Sequence, residues 1–167
     1  MELERRGQLL ALITQNIDGL HQDAGAADDR VIELHGNTRT IRCTNCGRVY
    51  PIRDFIDLIP TLTAPPPCPM CGGILKSGTI AFGQQLPQRE LQVAFAVARK
   101  AGVVLVVGST LLVHPAARVP AVAQEHGAYL AILNKGETAL DNDADLLLDA
   151  SAGPALAYLA DSLISTH

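Results

Sequence analysis

Aromatic side chains are scarce in this chain, and tryptophan is absent. Aromatic residues make up 4% of the 167 residues. Proteins that bind single-stranded nucleic acid stack bases on aromatic side chains, so this composition argues against such a platform. The formal net charge of −4 argues in the same direction, because a general nucleic-acid binder normally presents a basic surface. We therefore expect no direct nucleic-acid partner.

Long apolar runs are also missing. A membrane-spanning helix needs roughly 20 consecutive apolar residues, and no segment approaches that length. Met1 is followed by the charged residues 2–6 and then by a short apolar stretch, which is not the pattern of a secretory signal. The sequence predicts no membrane partner. With 48% hydrophobic residues, the chain can bury a core as one domain with a small appendage.

Only four cysteines are present, and their spacing is highly informative. They form two Cys-x-x-Cys pairs with 21 residues between them, Cys43 with Cys46 and Cys68 with Cys71. Two thiolates three positions apart can bind one ion, and two such pairs complete the tetrahedron that Zn²⁺ prefers. Because four thiolates leave no position for water, the ion would be structural. Two disulfides or two redox pairs are the alternative interpretation.

Glycines follow each cysteine pair. The cysteines also indicate the cellular compartment of the protein. Gly47, Gly72 and Gly73 are predicted to supply the positive φ that tight metal-binding turns need. Reduced cysteines that bind a metal suit a reducing compartment. We therefore expect a cytoplasmic protein.

The remaining sequence alternates between strand and helix patterns, with one interruption. The predicted strands cover residues 9–14, 31–34, 79–82, 103–107, 129–133 and 145–148, and the predicted helices cover 87–99, 115–126 and 154–164. This rhythm indicates an α/β fold with a parallel sheet that is covered on both faces. Residues 103–107 (VVLVV) have no polar face, which predicts a central strand. Residues 42–74 contain the cysteines and a triple proline, and are predicted to be an inserted zinc-binding module.

Polar residues follow several of the predicted strands. They are the segment 14–21, His35-Gly36-Asn37, Gly108-Ser109-Thr110 and Asn134. Each has an ordinary interpretation as a turn, a helix cap or a satisfied polar side chain. Because ligands of parallel sheets bind at the carboxyl ends of the strands, their joint position favours a binding site there.

These segments resemble the sirtuins, the NAD-dependent protein-lysine deacylases. The resemblance rests on TQNIDGLHQDAG (14–25), ELHGN (33–37), the two cysteine pairs, AFGQQLP (81–87), GSTLLVHPAA (108–117) and Asn134, in matching order over residues 3–159. It implies a Rossmann-like NAD-binding domain formed by residues 1–41 and 75–167, with the zinc module inserted. It also implies an acylated-lysine protein or peptide in the cleft between them.

The resemblance implies a role for each matching residue. His35 would be the general base on a ribose hydroxyl, and Asn16 and Asp18 would line the nicotinamide pocket as further catalytic residues. Other NAD contacts would come from Gln15 at the nicotinamide ribose, from Gly108, Ser109 and Thr110 on the phosphate and adenosine side, and from Asn134 at the adenosine ribose. Ala81, Phe82 and Gly83 would pair with the acyl-peptide as an added strand. The reaction would release free lysine, nicotinamide and acyl-ADP-ribose.

The chain departs from the family pattern at three places. Gln84 stands where the family usually has Glu, and Gly108-Ser109-Thr110 replaces Gly-Thr-Ser. No Gly-Ala-Gly motif precedes Thr14. The resemblance thus implies a sheet truncated at the N-terminus, with an open slot between strands 9–14 and 103–107. We expect those two strands to pair directly, or a second chain to bury the edge as a homodimer or complementing chain, and NAD binding to be weaker.

Two functions from different classes remain open. The first is an NAD-dependent protein deacylase that uses NAD and Zn²⁺. The alternative is a catalytically impaired sirtuin-like module that binds NAD, ADP-ribose or acyl-peptide without turnover. A zinc-ribbon nucleic-acid binder is a third interpretation, which the acidic balance of the chain disfavours.

Overall fold

The computed structural model describes residues 2–61 and 63–165. The strands are β1 Leu12–Thr14, β2 Val31–Glu33, β3 Thr40–Cys43, β4 Val49–Pro51, β5 Leu75–Ser77, β6 Val103–Val107, β7 Tyr129–Asn134 and β8 Leu146–Asp149. The α-helices are α1 Glu2–Arg5, α2 Leu20–Asp23, α3 Gln88–Ala98, α4 Arg118–Glu125 and α5 Ala152–Ser165. The predicted α/β fold with a parallel sheet is confirmed.

The chain divides into two compact units. The first unit combines Met1–Leu12 with Gln88–His167, and the second is Ile13–Pro87. The first unit contains the parallel sheet and helices α3 to α5, whereas the second contains all four cysteines.

The first unit is organised by a three-stranded parallel sheet in the order β6-β7-β8. Val103 pairs with Tyr129, and Asn134 at the end of β7 pairs with Asp149 of β8. The centre of the sheet is β7, where Leu130 and Ile132 are almost fully buried. Apolar burial of this kind contributes roughly 25 cal/mol for each Å² removed from water. The strand therefore forms the centre of the hydrophobic core of this unit.

The position of β6 differs from the sequence prediction. The apolar run VVLVV was expected in the centre of the sheet, but in the described residues β6 is an edge strand. Val103 is 65% exposed, and Leu105 and Val107 are more than a third exposed. The central position belongs to β7, whose sequence YLAILN is equally apolar. Since both runs lack a polar face, the sequence pattern alone does not indicate which of them occupies the centre of the sheet.

The predicted pairing of β1 with β6 is not found in the described residues. β1 pairs with β2 as a separate two-stranded sheet, and β6 pairs with β7. The alternative prediction, that a second chain covers the exposed edge of β6, stays a prediction. An unpaired edge leaves main-chain N–H and C=O groups available to another strand.

The second unit is built around a short antiparallel sheet in the order β4-β3-β5. Its buried cluster comprises Ile41, Cys43, Phe55, Cys68 and Leu75. Two of these five residues are cysteines of the predicted zinc site, so the core of this sheet and the predicted metal ligands coincide.

The predicted strand at residues 79–82 is wrong. The segment forms a turn, in which the main-chain N–H of Gln84 donates to the carbonyl of Ala81 at 3.0 Å. The side-chain Oε1 of Gln84 also accepts the N–H of Ala81 at 2.9 Å. These two bonds close the turn, and Gly83 with φ of 82° completes it, since this backbone region favours glycine. The nearby strand is instead β5, which pairs with β3.

Candidate functional site

The four cysteine sulfurs lie together in the second unit. The Sγ atoms of Cys43, Cys46, Cys68 and Cys71 all fall within 4.8 Å of one another. The Cys43–Cys71 pair is 3.5 Å apart and the Cys46–Cys68 pair 3.8 Å. Four sulfurs placed tetrahedrally at a Zn–S distance of about 2.3 Å would be about 3.8 Å apart. The cluster thus fits one zinc ion, and all four cysteines are free, so the disulfide alternative is not found.

Each cysteine pair sits on a tight turn. The N–H of Gly47 donates to the carbonyl of Cys43 at 3.0 Å, and the N–H of Gly72 donates to that of Cys68 at 2.8 Å. Both glycines have the predicted positive φ, 72° and 71°. Gly73 does not, which corrects the sequence prediction. It is required for space, because a Cβ there would lie 2.7 Å from Cβ of Asn45 and 3.0 Å from Sγ of Cys43.

Neighbouring donors lower the pKa values of the second cysteine pair, Cys68 and Cys71, whereas the pKa of Cys46 in the first pair is raised to about 11. Tyr50 Oη lies 3.3 Å from Sγ of Cys68. This hydrogen bond, with main-chain donors from Cys71 and Met70, lowers the pKa of Cys68 to about 6. The same contact raises the pKa of Tyr50 to about 12, so its hydroxyl keeps its proton. Because the thiolate is the form that binds metal, the second cysteine pair is prepared for a cation near neutral pH.

A second group of predicted residues meets around His35. Nδ1 of His35 lies 3.1 Å from the main-chain oxygen of Gln15, which directly follows β1. A carbonyl oxygen only accepts hydrogen bonds, so Nδ1 carries the hydrogen and Nε2 is the basic nitrogen. The same two loops are joined again where the N–H of Thr38 donates to the carbonyl of Ile17 at 2.9 Å. His35 is half-buried, and the bond from Nδ1 to Gln15 orients its ring.

Asn16 and Asp18 lie on the loop that carries Gln15, and both are exposed. The main-chain N–H of Asn16 donates to Oγ1 of the buried Thr14 at 3.0 Å. Oδ1 of Asp18 accepts the N–H of Leu20 at 3.0 Å, which closes the turn at the start of α2. The backbone of this loop is therefore fixed while the Asn16 amide faces solvent.

The predicted peptide-binding segment also reaches the His35 loop. The N–H of Ile80 donates to the main-chain oxygen of His35 at 2.9 Å. Gly36 has φ of 67°, and a Cβ at this position would lie 2.0 Å from the carbonyl oxygen of Gly78. Only glycine permits this approach. The structure thereby brings residues 15–18, His35 and the segment leading to Ala81, Phe82 and Gly83 together within the second unit.

Sequence reasoning missed the group that anchors the His35 loop. The carboxylate of Glu33 accepts from Asn37 Nδ2 at 2.6 Å, from Arg39 Nη2 at 3.1 Å and from Gln22 Nε2 at 3.1 Å. The Glu33 side chain is only 14% exposed. Charge-assisted hydrogen bonds of this kind are stronger than neutral ones. The signal was present in the ELHGN motif, which contains both Glu33 and Asn37, but the partners Gln22 and Arg39 are visible only in the fold.

The other predicted NAD-binding residues lie in the first unit, at the carboxyl edge of the sheet. Gly108 follows β6 with φ of 61°, and its N–H donates to the carbonyl of Leu133 at 2.9 Å. Oγ of Ser109 accepts the N–H of Leu111 at 3.3 Å, and the carbonyl of Thr110 accepts the N–H of Ala139 at 3.0 Å.

Asn134 is held at the same edge. Its Nδ2 donates to the carbonyl of Gly136 at 2.9 Å, while the N–H of Gly136 donates to Asp149 Oδ1 at 3.2 Å. Because Asn134 ends β7, it lies on the strand next to β6 and its Gly108 turn. Helix α4 begins only at Arg118, so residues 108–110 form a turn of their own and not a helix N-terminus.

Comparison with known proteins identifies the class. The sequence matches the Sir2 family over residues 1–115. It is 42% identical over 164 residues to an NAD-dependent protein deacetylase of Thermodesulfovibrio yellowstonii. The matched region covers 98% of this chain and 63% of that protein. It is 40% identical over 164 residues to an NAD-dependent protein deacylase of Pyrococcus furiosus, which covers 97% of this chain and 64% of that protein. The chain belongs to the Sir2 family, which confirms the predicted resemblance.

Solved structures give the same result. The fold matches Sir2Tm bound to a propionylated peptide with a TM-score of 0.87 and 36% identity, over 98% of this chain and 68% of that one. A complex of Sir2 with a p53 peptide and NAD⁺ matches with a TM-score of 0.86 and 36% identity, again over 98% and 68%.

The chain spans less than two thirds of the length of several of these relatives, as the values of 63% and 64% show.

No helix among residues 2–61 and 63–165 is long and apolar enough to cross a membrane.

Proposed function

We propose that this chain acts in NAD-dependent removal of acyl groups from protein lysines. The observation that carries the proposal is the hydrogen bond between Nδ1 of His35 and the main-chain oxygen of Gln15. In the neutral imidazole this bond selects the tautomer with the hydrogen on Nδ1, so that Nε2 is the nitrogen that can accept a proton. The names of the relatives, NAD-dependent protein deacetylase and deacylase, support the same reaction.

NAD would supply the ribose carbon that takes the acyl oxygen of the substrate in place of nicotinamide, and water would supply the remaining atoms of the products, free lysine and acyl-ADP-ribose. His35 Nε2 would accept the proton of a ribose hydroxyl during this exchange. The amide of Asn16 and the carboxylate of Asp18 are suited to hydrogen-bond the nicotinamide carboxamide, and Gln15 to contact the adjoining ribose. Their common loop is fixed by the bonds from Asn16 to Thr14 and from Leu20 to Asp18.

The remaining NAD contacts are proposed for the sheet edge of the first unit. The turn at Gly108, Ser109 and Thr110 would bind the phosphate and adenosine side, and Asn134 the adenosine ribose. The acyl-peptide would bind along Ala81, Phe82 and Gly83, pairing with the main chain of Phe82 and Gly83 because Ala81 bonds Gln84 within the turn. The side chain of Phe82 is fully exposed. An extended peptide held by main-chain bonds needs no single sequence.

The zinc ion would hold structure in this proposal. Four thiolate ligands complete its coordination and leave no open position for a substrate or water. The residues that perform chemistry are therefore those around His35 and not the cysteines.

Release of nicotinamide tests the proposal. The protein is incubated with NAD and acetyl-lysine or propionyl-lysine peptides, and His35→Ala is compared with the parent. Turnover should fall by roughly 100-fold or more, because a general base acts in the transition state. NAD affinity, measured by calorimetry, should change little, because ground-state binding does not use the base.

His126→Ala is the matched control, since this exposed histidine directly follows α4 and its Nδ1 donates to the carbonyl of Val122 in that helix at 2.9 Å. It should leave turnover unchanged. Equal turnover in His35→Ala and the parent would remove His35 from the mechanism. Binding of NAD and acyl-peptide without any nicotinamide release would favour the alternative, a module that binds without turnover.

A further inference from the structure

Two polar side chains from the first half of the zinc module contact sulfurs of the second cysteine pair. Oη of Tyr50 lies 3.3 Å from Sγ of Cys68, 18 residues along the chain. Nδ2 of Asn45 lies 3.7 Å from Sγ of Cys71, 26 residues along. Each cysteine of the second pair therefore has a side-chain partner that comes from the neighbourhood of the first pair.

The direction of both bonds follows from the chemistry of the donors. A cysteine bound to zinc has lost its proton, so its sulfur only accepts hydrogen bonds. The amide nitrogen of Asn45 only donates, and the hydroxyl of Tyr50 must then donate as well. By contrast, Sγ of Cys43 accepts hydrogen bonds from the main-chain N–H groups of Asn45 and Cys46 at 3.4 and 3.5 Å. Both donors belong to the same turn as Cys43.

Packing holds the Tyr50 hydroxyl in place. Tyr50 lies on β4 and pairs with Ile41 of β3, the strand that ends at Cys43. Its ring meets the ring of Phe55 edge to face, with centroids 5.8 Å apart and an interplanar angle of 70°. Such a contact restricts the ring, so the hydroxyl is oriented before any metal arrives.

Asn45 is also held against the second cysteine pair. The N–H of Thr44, its neighbour, donates to the carbonyl of Ile74 at 2.9 Å. Gly73 leaves the room that Asn45 needs, because a Cβ at Gly73 would lie 2.7 Å from Cβ of Asn45. The close approach of the two turns thus places the amide beside Cys71.

We propose that Tyr50 and Asn45 are positioning residues of the metal centre, which orient Cys68 and Cys71 by hydrogen bonds to their sulfurs and thereby slow the loss of zinc. The inference rests on the four-cysteine site holding zinc in this chain. Groups that hydrogen-bond a metal ligand fix its orientation. Besides the ion and these two bonds, the two turns are joined by Thr44, whose N–H and hydroxyl both donate to the carbonyl of Ile74, and by the pairing of β3 with β5.

The test measures zinc binding in the variants Tyr50→Phe and Asn45→Ala. Each change removes a donor, and Tyr50→Phe keeps the ring that packs on Phe55. Zinc affinity, measured by competition with a chelating dye, should fall by roughly 10-fold in each variant, since loss of such partners typically costs 10-fold to 100-fold. Zinc transfer to the dye should be correspondingly faster. Tyr158→Phe is the control, because Tyr158 is 77% exposed.

A second measurement separates positioning from a general loss of stability. The protein is loaded with Co²⁺, and the thiolate-to-cobalt charge-transfer band is recorded. Removing a hydrogen bond to sulfur raises the energy of its lone pairs, so the band should move to longer wavelength in Tyr50→Phe and Asn45→Ala. It should not move in Tyr158→Phe.

Each outcome decides the inference. Faster zinc loss together with a shifted band supports it. Zinc affinity and a cobalt spectrum equal to those of the parent overturn it, and Tyr50→Phe decides alone if Asn45→Ala does not fold. A parent protein without zinc by elemental analysis overturns the metal centre itself, and the inference with it. None of these readouts uses nicotinamide release, so failure of the proposed deacylase function is distinguished from failure of this inference.

Discussion

The two units of the chain reach stability by different physical means. In the first unit, strands of four to six residues form a parallel sheet around the buried side chains of Leu130 and Ile132. In the second unit, the strands have only three or four residues, and the buried cluster contains Cys43 and Cys68. The first unit depends on apolar burial. The second unit clusters four cysteine sulfurs, and as the thiolate ligands of zinc these would repel one another without the cation between them.

Because of this difference, different changes should destabilise the two units. A short sheet with a small core gains little from apolar burial, and small domains of this kind commonly use a metal to complete their stability. A sheet with a continuous apolar strand at its centre does not need one. The zinc module should therefore respond to removal of metal or thiolate, and the sheet of the first unit to truncation of apolar side chains.

The largest expected effect is loss of the metal. Cys43→Ala removes one ligand, and structural zinc contributes roughly 10 to 16 kcal/mol of apparent binding free energy at neutral pH. That exceeds the roughly 5 to 15 kcal/mol of net stability of a typical domain. We expect zinc content by elemental analysis to fall from one per chain to near zero. Amide protection in β3 and β4 should be lost, whereas protection in β7 should persist.

The matched control is Met70→Ala, because Met70 is 58% exposed and lies between Cys68 and Cys71 in the sequence. It should retain zinc and protection in both units. A metal-free Cys43→Ala protein that keeps full protection in β3 and β4 would contradict the comparison between the units.

An intermediate effect is expected from a cavity in the first unit. Leu130 lies on β7, the central strand of the sheet, and has no exposed surface. Leu130→Ala should lower the free energy of unfolding by roughly 2 to 5 kcal/mol, because buried methyl groups are lost and the surroundings relax only partly. Urea denaturation measures the change, and zinc content should remain at the parent value. Leu112→Ala, at a position 70% exposed, should change stability by less than about 0.5 kcal/mol. Loss of zinc in Leu130→Ala would show that the two units are not independent in this respect.

Local sequence patterns predicted the parts of the molecule that short motifs specify. The cysteine spacing predicted a four-sulfur cluster, and the turns at Gly47 and Gly72 followed from it. Helices α3, α4 and α5 lie within about three residues of their predicted bounds. The proposed roles of His35 and the other site residues stay predictions. The structure adds that the His35 loop contacts the loop of Gln15.

The remaining features depend on contacts between distant residues. The edge position of β6 depends on which strand pairs with β7, and two equally apolar runs do not reveal that order. The turn at Ala81 is closed by Gln84, whose Oε1 also accepts from Lys76 Nζ at 2.7 Å. Gly73 is needed because Asn45, 28 positions earlier, occupies the space beside it. Sequence periodicity contains no information on these approaches.

The smallest expected effect concerns the stability of the first unit in acid. There the titrating group is a carboxylate, that of Asp141, whereas in the second unit the titrating groups are the cysteine thiolates. Asp141 accepts the hydroxyl of Thr138 at 2.5 Å and its N–H at 3.1 Å. These bonds hold the pKa of the Asp141 carboxyl below its ordinary value. Because the folded pKa is lowered, the stabilisation is present above the ordinary pKa and is lost as the pH falls through the folded one.

Asp141→Asn should therefore slightly weaken amide protection in β7 at pH 7, and the difference from the parent should vanish at strongly acidic pH. The exposed Asp57→Asn serves as the charge-matched control, and should leave protection in β7 unchanged at both pH values. In the second unit, acid acts through the cysteines, since their protonation releases zinc. A difference between Asp141→Asn and the parent that persists at low pH would mean that the Asp141 charge is not its source. The effect of Asp141→Asn would then have to arise from changed packing or hydrogen bonding at that turn, as the effect of Leu130→Ala arises from changed packing.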